Sequence, residues 1–243
     1  MCKALLNLLL QIFDHPFNRG LFMLSVLTLR FLKDLKKNNN KPWFDAHRKE
    51  YENAKNDFAG LIDVVIKKHG KKDDTISHLN ARDCMFRINR DVRFSKDKSP
   101  YKTNMGAYIN PGGKKSLLGG YYFHCEPGAS FVGGGLWMPM PPELHKIRQE
   151  IDYNLHDFKK IIESKKFKAV YTTVSRDAEY TLSRVPKGYE ADNPAAEFLK
   201  LKSIVAIASI PDSIVTSAGL VKKITTAFEA LQPLLVFINH AIV

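Results

Sequence analysis

Cysteine is scarce: Cys2, Cys84 and Cys125 are the only three in 243 residues, and they lie far apart. They make no disulfide framework, and without a C-x-x-C they make no cysteine-built zinc site, so a reducing cytosol suits the chain best. A Walker A loop, a G-x-S-x-G elbow, an H-E-x-x-H pair and a dinucleotide fingerprint are all missing, which removes the function classes that one motif can name. No cofactor is indicated. Fourteen glycines and 26% charged residues exclude a collagen-like or disordered chain. The 44% of apolar and 11% of aromatic residues provide instead for one sizeable core in a soluble, globular protein.

Charge is present in excess. Thirty-seven Lys and Arg against 25 Asp and Glu leave +12, a field that draws phosphates, carboxylates, nucleic acid or anionic lipid. Residues 82–102 hold seven basic side chains against Asp83, Asp91 and Asp97, so +4 sits in 21 residues.

Residues 1–22 begin with an apolar run from Ala4 to Phe13 that Asp14-His15-Pro16 ends. The run is too short to span a bilayer and no small-residue cleavage site follows it, so an extension or a short accessory helix is expected, and no membrane partner. From Ser25, Leu27, Phe31, Leu32 and Leu35 recur at helical spacing until Asn38-Asn39-Asn40. Pro42 opens a second helix expected to run to His69, with Trp43, His47, Tyr51, Phe58, Leu61 and Val65 on one face. Alternation predicts a strand over 84–89 with Cys84, Phe86 and Ile88 on one side.

Further strands are expected over 105–109, 120–125 and 130–137, joined by Pro-Gly-Gly and Glu-Pro-Gly turns. Gly133-Gly134-Gly135 inside the last predicts a bulge or a close approach by another backbone or a ligand. Pro141-Pro142 starts a helix reaching Ile162, strands follow over 169–174 and 179–183, and Asn193-Pro194 starts a short helix over 195–202. A buried strand over 204–210 and a helix over 217–241 close the chain. With no repeat and no dividing linker, residues 23–243 read as a single α+β domain, an antiparallel sheet packed with several helices.

The unusual passage is Arg87-Ile-Asn-Arg90-Asp91-Val-Arg93-Phe-Ser-Lys96-Asp97-Lys98-Ser-Pro-Tyr101-Lys102. Guanidinium forks at 87, 90 and 93 on a loop can converge on one anion, with Lys96, Lys98 and Lys102 adding charge, Tyr101 a hydroxyl, and Asp91 or Asp97 orienting the arginines or taking a proton. The bland alternative is a loop tied down by its own ion pairs, each contributing about 0–1 kcal/mol when exposed.

At this passage the chain resembles the domain of unknown function 2461 (DUF2461) family. The resemblance rests on R-x-x-R-D-x-R-F-x-x-D-K-x-P-Y at 87–101, on Asn38-Asn39-Asn40-Lys-Pro-Trp43-Phe44 with Arg48 and Tyr51, and on Gly133-Gly-Gly-Leu-Trp137-x-Pro139. It covers the chain from about residue 23 and leaves 1–22 outside. It implies a cytosolic bacterial protein and no assigned reaction.

Other candidates are single residues. Asn39, Trp43 and Arg48 line a pocket in one reading and belong to the framework in another, since an aromatic pair opening an amphipathic helix is more often core. His124 is a general base or a satisfied ladder histidine in an aromatic strand. His69, His78, His145, His156 and His240 lack metal spacing, and Asp91 with Asp97 is a thin magnesium pair, so no metal is assigned. Three functions compete. The residues of 87–102 clamp a small phosphorylated or carboxylated ligand, with Asp91 or His124 moving a proton; they join Lys33, Lys36, Lys37, Lys41, Lys71 and Lys72 in a nucleic-acid stripe with Trp43 or Tyr101 stacking bases; or they form an internal latch. The sequence does not indicate an oligomeric state.

Overall fold

Ser25 caps the first helix, its hydroxyl accepting the Leu27 N–H, and α1 (Val26–Lys37) turns Leu29, Phe31, Leu32 and Leu35 inward until the Asn38 N–H closes on the Asp34 and Leu35 carbonyls. These elements belong to a computed structural model that describes residues 23–243; the extension assigned to 1–22 lies outside them. Asn40 caps α2 (Lys41–Ala46) by accepting the Trp43 N–H. The single helix expected from Pro42 to His69 is in fact interrupted at His47, whose φ of −110° and ψ of 26° leave the helical region. His47 Nδ1 donates to the Trp43 carbonyl at 2.8 Å and its ring stacks on Trp43 at 4.0 Å. That local side-chain bond competes with the continuing helix. The chain restarts as α3 (Arg48–His69), which buries Phe58, Leu61, Ile62 and Val65.

The strand expected over 84–89 is a correction. Cys84 ends the short α4 (Ala81–Cys84), and the residues after it make only isolated antiparallel bridges, Met85 with Ala107 and Asn89 with Tyr101. Cys84 and Ile88 are buried, but Phe86 turns the other way and is 42% exposed.

The sheet has four antiparallel strands in the order β1 (Met105–Ile109), β2 (Gly120–Cys125), β3 (Phe131–Leu136) and β4 (Ile204–Ser209). Its register places Gly106 opposite His124, Tyr122 opposite Gly133, and Gly135 opposite Val205. Alternation divides the two faces. Ala107, Ile109, Tyr121, Phe123, Val132 and Ala206 are buried on one of them. That face meets α3 and the helix that closes the chain, Leu220–His240, with Phe58 stacked on Phe123 at 5.9 Å and Tyr121 against Phe228 at 4.6 Å. Each large apolar side chain buried this way stabilises the fold by about 1.5–3 kcal/mol relative to its exposure.

Between β3 and β4 the chain runs through α5 (Pro141–Tyr153), α6 (Leu155–Ile162), α7 (Lys165–Tyr171) and α8 (Ala196–Leu199), and after β4 through α9 (Asp212–Val215) and α10 (Leu220–His240). The helix expected from Pro141 to Ile162 divides at Asn154, whose side chain donates to Glu150 Oε1 at 2.9 Å. Of the strand expected over 169–174, residues 169–171 are instead the last turn of a helix capped by Ser164, and the chain leaves the helix at Thr172. The strand expected over 179–183 reduces to a 3-10 turn and one bridge between Thr181 and Leu201. One continuous core joins all these elements, so the fold is single-domain α+β. Among the described residues no helix is long and apolar enough to cross a membrane.

Candidate functional site

The sheet face turned away from α10 carries the polar chemistry. Tyr122 and His124 alternate with the buried Tyr121, Phe123 and Cys125, so β2 presents both on the same side. A side chain at Gly106, directly across from His124, would collide with the Tyr122 hydroxyl, so only glycine leaves that hydroxyl its place. Tyr122 Oη lies 3.0 Å from His124 Nδ1, and His124 Nε2 lies 3.2 Å from Glu126 Oε2. A carboxylate only accepts, so Nε2 carries the proton and Nδ1 accepts from the Tyr122 hydroxyl. Phe131 stacks on the imidazole at 4.6 Å, while Thr103 Oγ1 at 3.2 Å and Lys36 Nζ at 3.5 Å hold Glu126 from behind.

The His124 side chain is 13% exposed. Burial lowers its pKa below the ordinary imidazole value, against the opposing pull of Glu126. Burial also pushes Tyr122 up to about 12. Both groups are therefore neutral at pH 7, joined by directed hydrogen bonds.

Two cavities meet at this row and share Phe86, Tyr122 and His124. The larger, about 630 Å³, is walled by Phe86, Leu117, Trp137, Met138, Met140 and Ile207. Each of these apolar side chains is at least 42% exposed. The glycine run of β3 lets neighbouring backbone come close: a side chain at Gly133 or Gly135 would collide with the Ala206 or Ile204 carbonyl, and Gly135 holds a φ of 121°. Met138, at the rim, holds a positive φ of 44° and donates its N–H to Ser203 Oγ at 2.9 Å. A non-glycine residue in that region costs of order 1–3 kcal/mol and commonly marks a working site. The smaller cavity, about 490 Å³, is bordered by Arg90, Asp91, Lys102, Asn104 and Gly106.

Four residues named from the sequence thus border one concavity: Arg90, Asp91, Lys102 and His124. The others go elsewhere. Arg90 itself is engaged within its loop by an ion pair to Asp97 and by bonds to the Ser99 carbonyl at 3.0 Å and Ser95 Oγ at 3.3 Å. Arg93 forms a two-pronged pair with Asp91, Nε to Oδ1 at 3.0 Å and Nη2 to Oδ2 at 2.7 Å. That pair holds Asp91 below the usual carboxylate range. Asp97 falls to about 2 through the Ser99 hydroxyl and N–H and through Arg90. Lys98 donates to the Val92 carbonyl at 3.0 Å; Lys96 and Arg87 are exposed.

Lys102 differs from Arg87, Lys96 and Lys98 in being half-buried at the smaller cavity; it has no carboxylate partner among the described residues, and its ammonium lies 5.3 Å from the centre of the Phe86 ring. Burial and then the Arg87 charge lower its pKa. The group from α1–α2 forms a pier beneath the loop, outside both cavities. Asn39 bonds the Tyr101 carbonyl at 2.9 Å and N–H at 3.1 Å. Tyr101, 6% exposed, stacks on Phe44 at 4.0 Å. Trp43 packs on His47 and Phe31, and Arg48 pairs with Asp45 at 3.1 Å over the Phe44 ring.

The family model described as Conserved hypothetical protein (DUF2461) matches residues 27–237. The chain belongs to that family. No curated protein and no solved structure matches it. DUF2461 membership therefore fixes the family of both cavities' residues, which lie within the matched range, and leaves their chemistry to be read from geometry. Among the described residues no three His, Cys, Asp or Glu side chains come together as a metal site. Tyr122 and Glu126 join His124 in this row without standing out in the sequence. The signal was there: positions 122, 124 and 126 are two apart, which places polar groups on one face of a strand.

Proposed function

We propose that the chain binds a small molecule with an apolar body and an anionic head, the body in the larger cavity and the head beside Lys102 in the smaller. The observation that supports it is the convergence of six exposed apolar side chains on one hollow that adjoins an ammonium with no carboxylate partner among the described residues. Scattered apolar residues on a surface need no explanation, whereas apolar residues gathered around a concave site do. A cation beside such a site selects anions.

This reading shifts the anion contact from the arginines to Lys102, because Arg90 and Arg93 already have acceptors of their own. For those two residues the latch describes their contacts better. Nucleic-acid binding has less support: Trp43 and Tyr101 are packed as framework, and Lys36, Lys41 and Lys72 are ion-paired. The cytosol is the compartment we assign, supported by the thiols of Cys84 and Cys125, both buried and not joined to each other.

Trp137 gives the test. In a Trp43→Phe variant its emission is followed while 4-phenylbutyrate or the uncharged 4-phenyl-1-butanol is added. Saturable quenching by the acid is expected, about tenfold tighter than by the alcohol, since a charged hydrogen bond contributes about 1.5–3 kcal/mol and Lys102 is only half buried. Lys102→Ala removes the difference. Emission that neither compound alters at millimolar concentration refutes the reading.

A further inference from the structure

We propose that Tyr122, His124 and Glu126 form a general-base relay that hydrolyses a carboxylic ester whose acyl group is apolar, on the floor shared by the two cavities. The proposal rests on the binding reading above: an apolar body with a carboxylate head is the acid such a hydrolysis releases.

The relay follows from the direction of its hydrogen bonds. Glu126 accepts from His124 Nε2, so Nδ1 accepts from Tyr122, and the Tyr122 hydroxyl gives its proton toward β2's own histidine. Its remaining lone pair is free to accept a proton from a water molecule in the cavity that Tyr122 lines. Water then attacks the ester carbonyl carbon, forming the new C–O bond. Its proton passes to Tyr122 Oη as the Tyr122 proton passes to His124 Nδ1, leaving an imidazolium neutralised by the Glu126 carboxylate. Collapse of the tetrahedral intermediate breaks the bond to the alcohol oxygen, and the proton returns from His124 through Tyr122 to that oxygen. Ester and water thus become acid and alcohol with no other reactant.

The transfer through Tyr122 is concerted, so no free phenolate forms, and a phenol held neutral by burial serves it. The arrangement has the logic of a nucleophile, histidine and carboxylate row, with a tyrosine conducting the proton where a serine would attack. Lys102 and Asn104 border the place where the carbonyl oxygen gains negative charge. The titratable and charged groups facing His124 are Tyr122 and Glu126 in the row, Lys36 behind Glu126, Arg90, Asp91 and Lys102 across the smaller cavity, and Tyr108, Lys114 and Glu143 across the larger. A side chain at Gly106 would displace the Tyr122 hydroxyl from its place beside Nδ1.

The experiment uses p-nitrophenyl 4-phenylbutyrate, whose acid product is the probe of the binding test. Wild type is expected to release nitrophenolate faster than buffer, with kcat/KM falling toward acid through one titration below the ordinary histidine value as His124 protonates. Tyr122→Phe and His124→Gln each lose at least 100-fold in kcat while still binding 4-phenylbutyrate, as Trp137 emission reports. Tyr122→Phe keeps the ring and its packing, and an unchanged urea midpoint shows that it folds. Wild type that binds 4-phenylbutyrate yet hydrolyses the ester no faster than buffer overturns the relay and leaves the binding reading standing. Variants as fast as wild type overturn it too, pointing to adventitious surface amines. Absence of binding by the acid overturns both.

Discussion

His69 is 1% exposed among Tyr121, at 4.6 Å, and Phe228, at 5.5 Å, and neither ring nitrogen has a hydrogen-bond partner among the described residues. Burial lowers its pKa, against weaker opposing pulls from Asp73 and Glu229, so the folded protein holds it neutral. Above the unfolded value of about 6.5 neither state binds the proton and nothing is linked to pH. Below it the unfolded chain takes a proton that the folded chain refuses, and stability is lost until the pH passes the lower folded value. One group gives a slope of at most about 1.4 kcal/mol per pH unit. His69→Phe keeps the aromatic contacts and removes this term. Urea titrations at pH 7.5 and 5.5 should show wild type losing about 1 kcal/mol more than the variant; the variant retains the part due to His124, which shifts in the same direction. Equal losses would remove His69 from the acid sensitivity. At this same scale the site was only partly legible. Arg90, Asp91 and His124 stood out as charge density and as a histidine in a strand, but Asn39 and Tyr101 look the same in sequence whether they line a pocket or hold a loop. Only the bonds between them, 62 positions apart in the chain, decide it.

Elements were legible where apolar period and caps agreed. The apolar stripes of α1, α3 and α10 placed those helices, Asn38-Asn39-Asn40 marked the break after the first, and the turns among β1, β2 and β3 placed the strands. Residues 169–174 read as strand because Val170, Thr172, Thr173 and Val174 are β-branched. Within the helix the buried positions are Phe167 and Tyr171, four apart, and that helical spacing, together with the Ser164 cap, wins over propensity up to Tyr171. Glycines make the contrast measurable within two elements. Gly60, inside α3, has no atom of the described residues within 4 Å of an added Cβ, so Gly60→Ala should stabilise by about 0.5–1 kcal/mol through helix propensity. Gly135, inside β3, combines a φ of 121° with a collision against the Ile204 carbonyl of β4. Gly135→Ala should cost about 2–4 kcal/mol, strain and overpacking together. Chemical denaturation of both variants reads the opposite signs. A tolerated Gly135→Ala would mean that β3 and β4 are not in the register that sets Gly135 against Val205.

For the whole molecule the governing quantity is +12 on 243 residues. Net charge of one sign opposes compaction, while exposed ion pairs such as Lys55 with Glu52 and Arg30 with Asp34 each return only about 0–1 kcal/mol. Salt weakens both, and with the excess this large the relief of repulsion is the greater effect, so added NaCl should raise Tm. Lys49 lies in the first turn of α3, and Lys165 and Lys166 in that of α7; all three are exposed and stand where a helix favours negative charge. Replacing these three with glutamate removes two charges at each position and takes +12 to +6. The triple variant should melt higher than wild type at about 20 mM salt, where the screening length exceeds about 20 Å, and the two should converge near 500 mM. Because none of the three lysines borders either cavity, binding of 4-phenylbutyrate should change little at moderate salt. A variant that melts lower than wild type at every salt concentration would show that local contacts of these lysines outweigh the field of the whole chain.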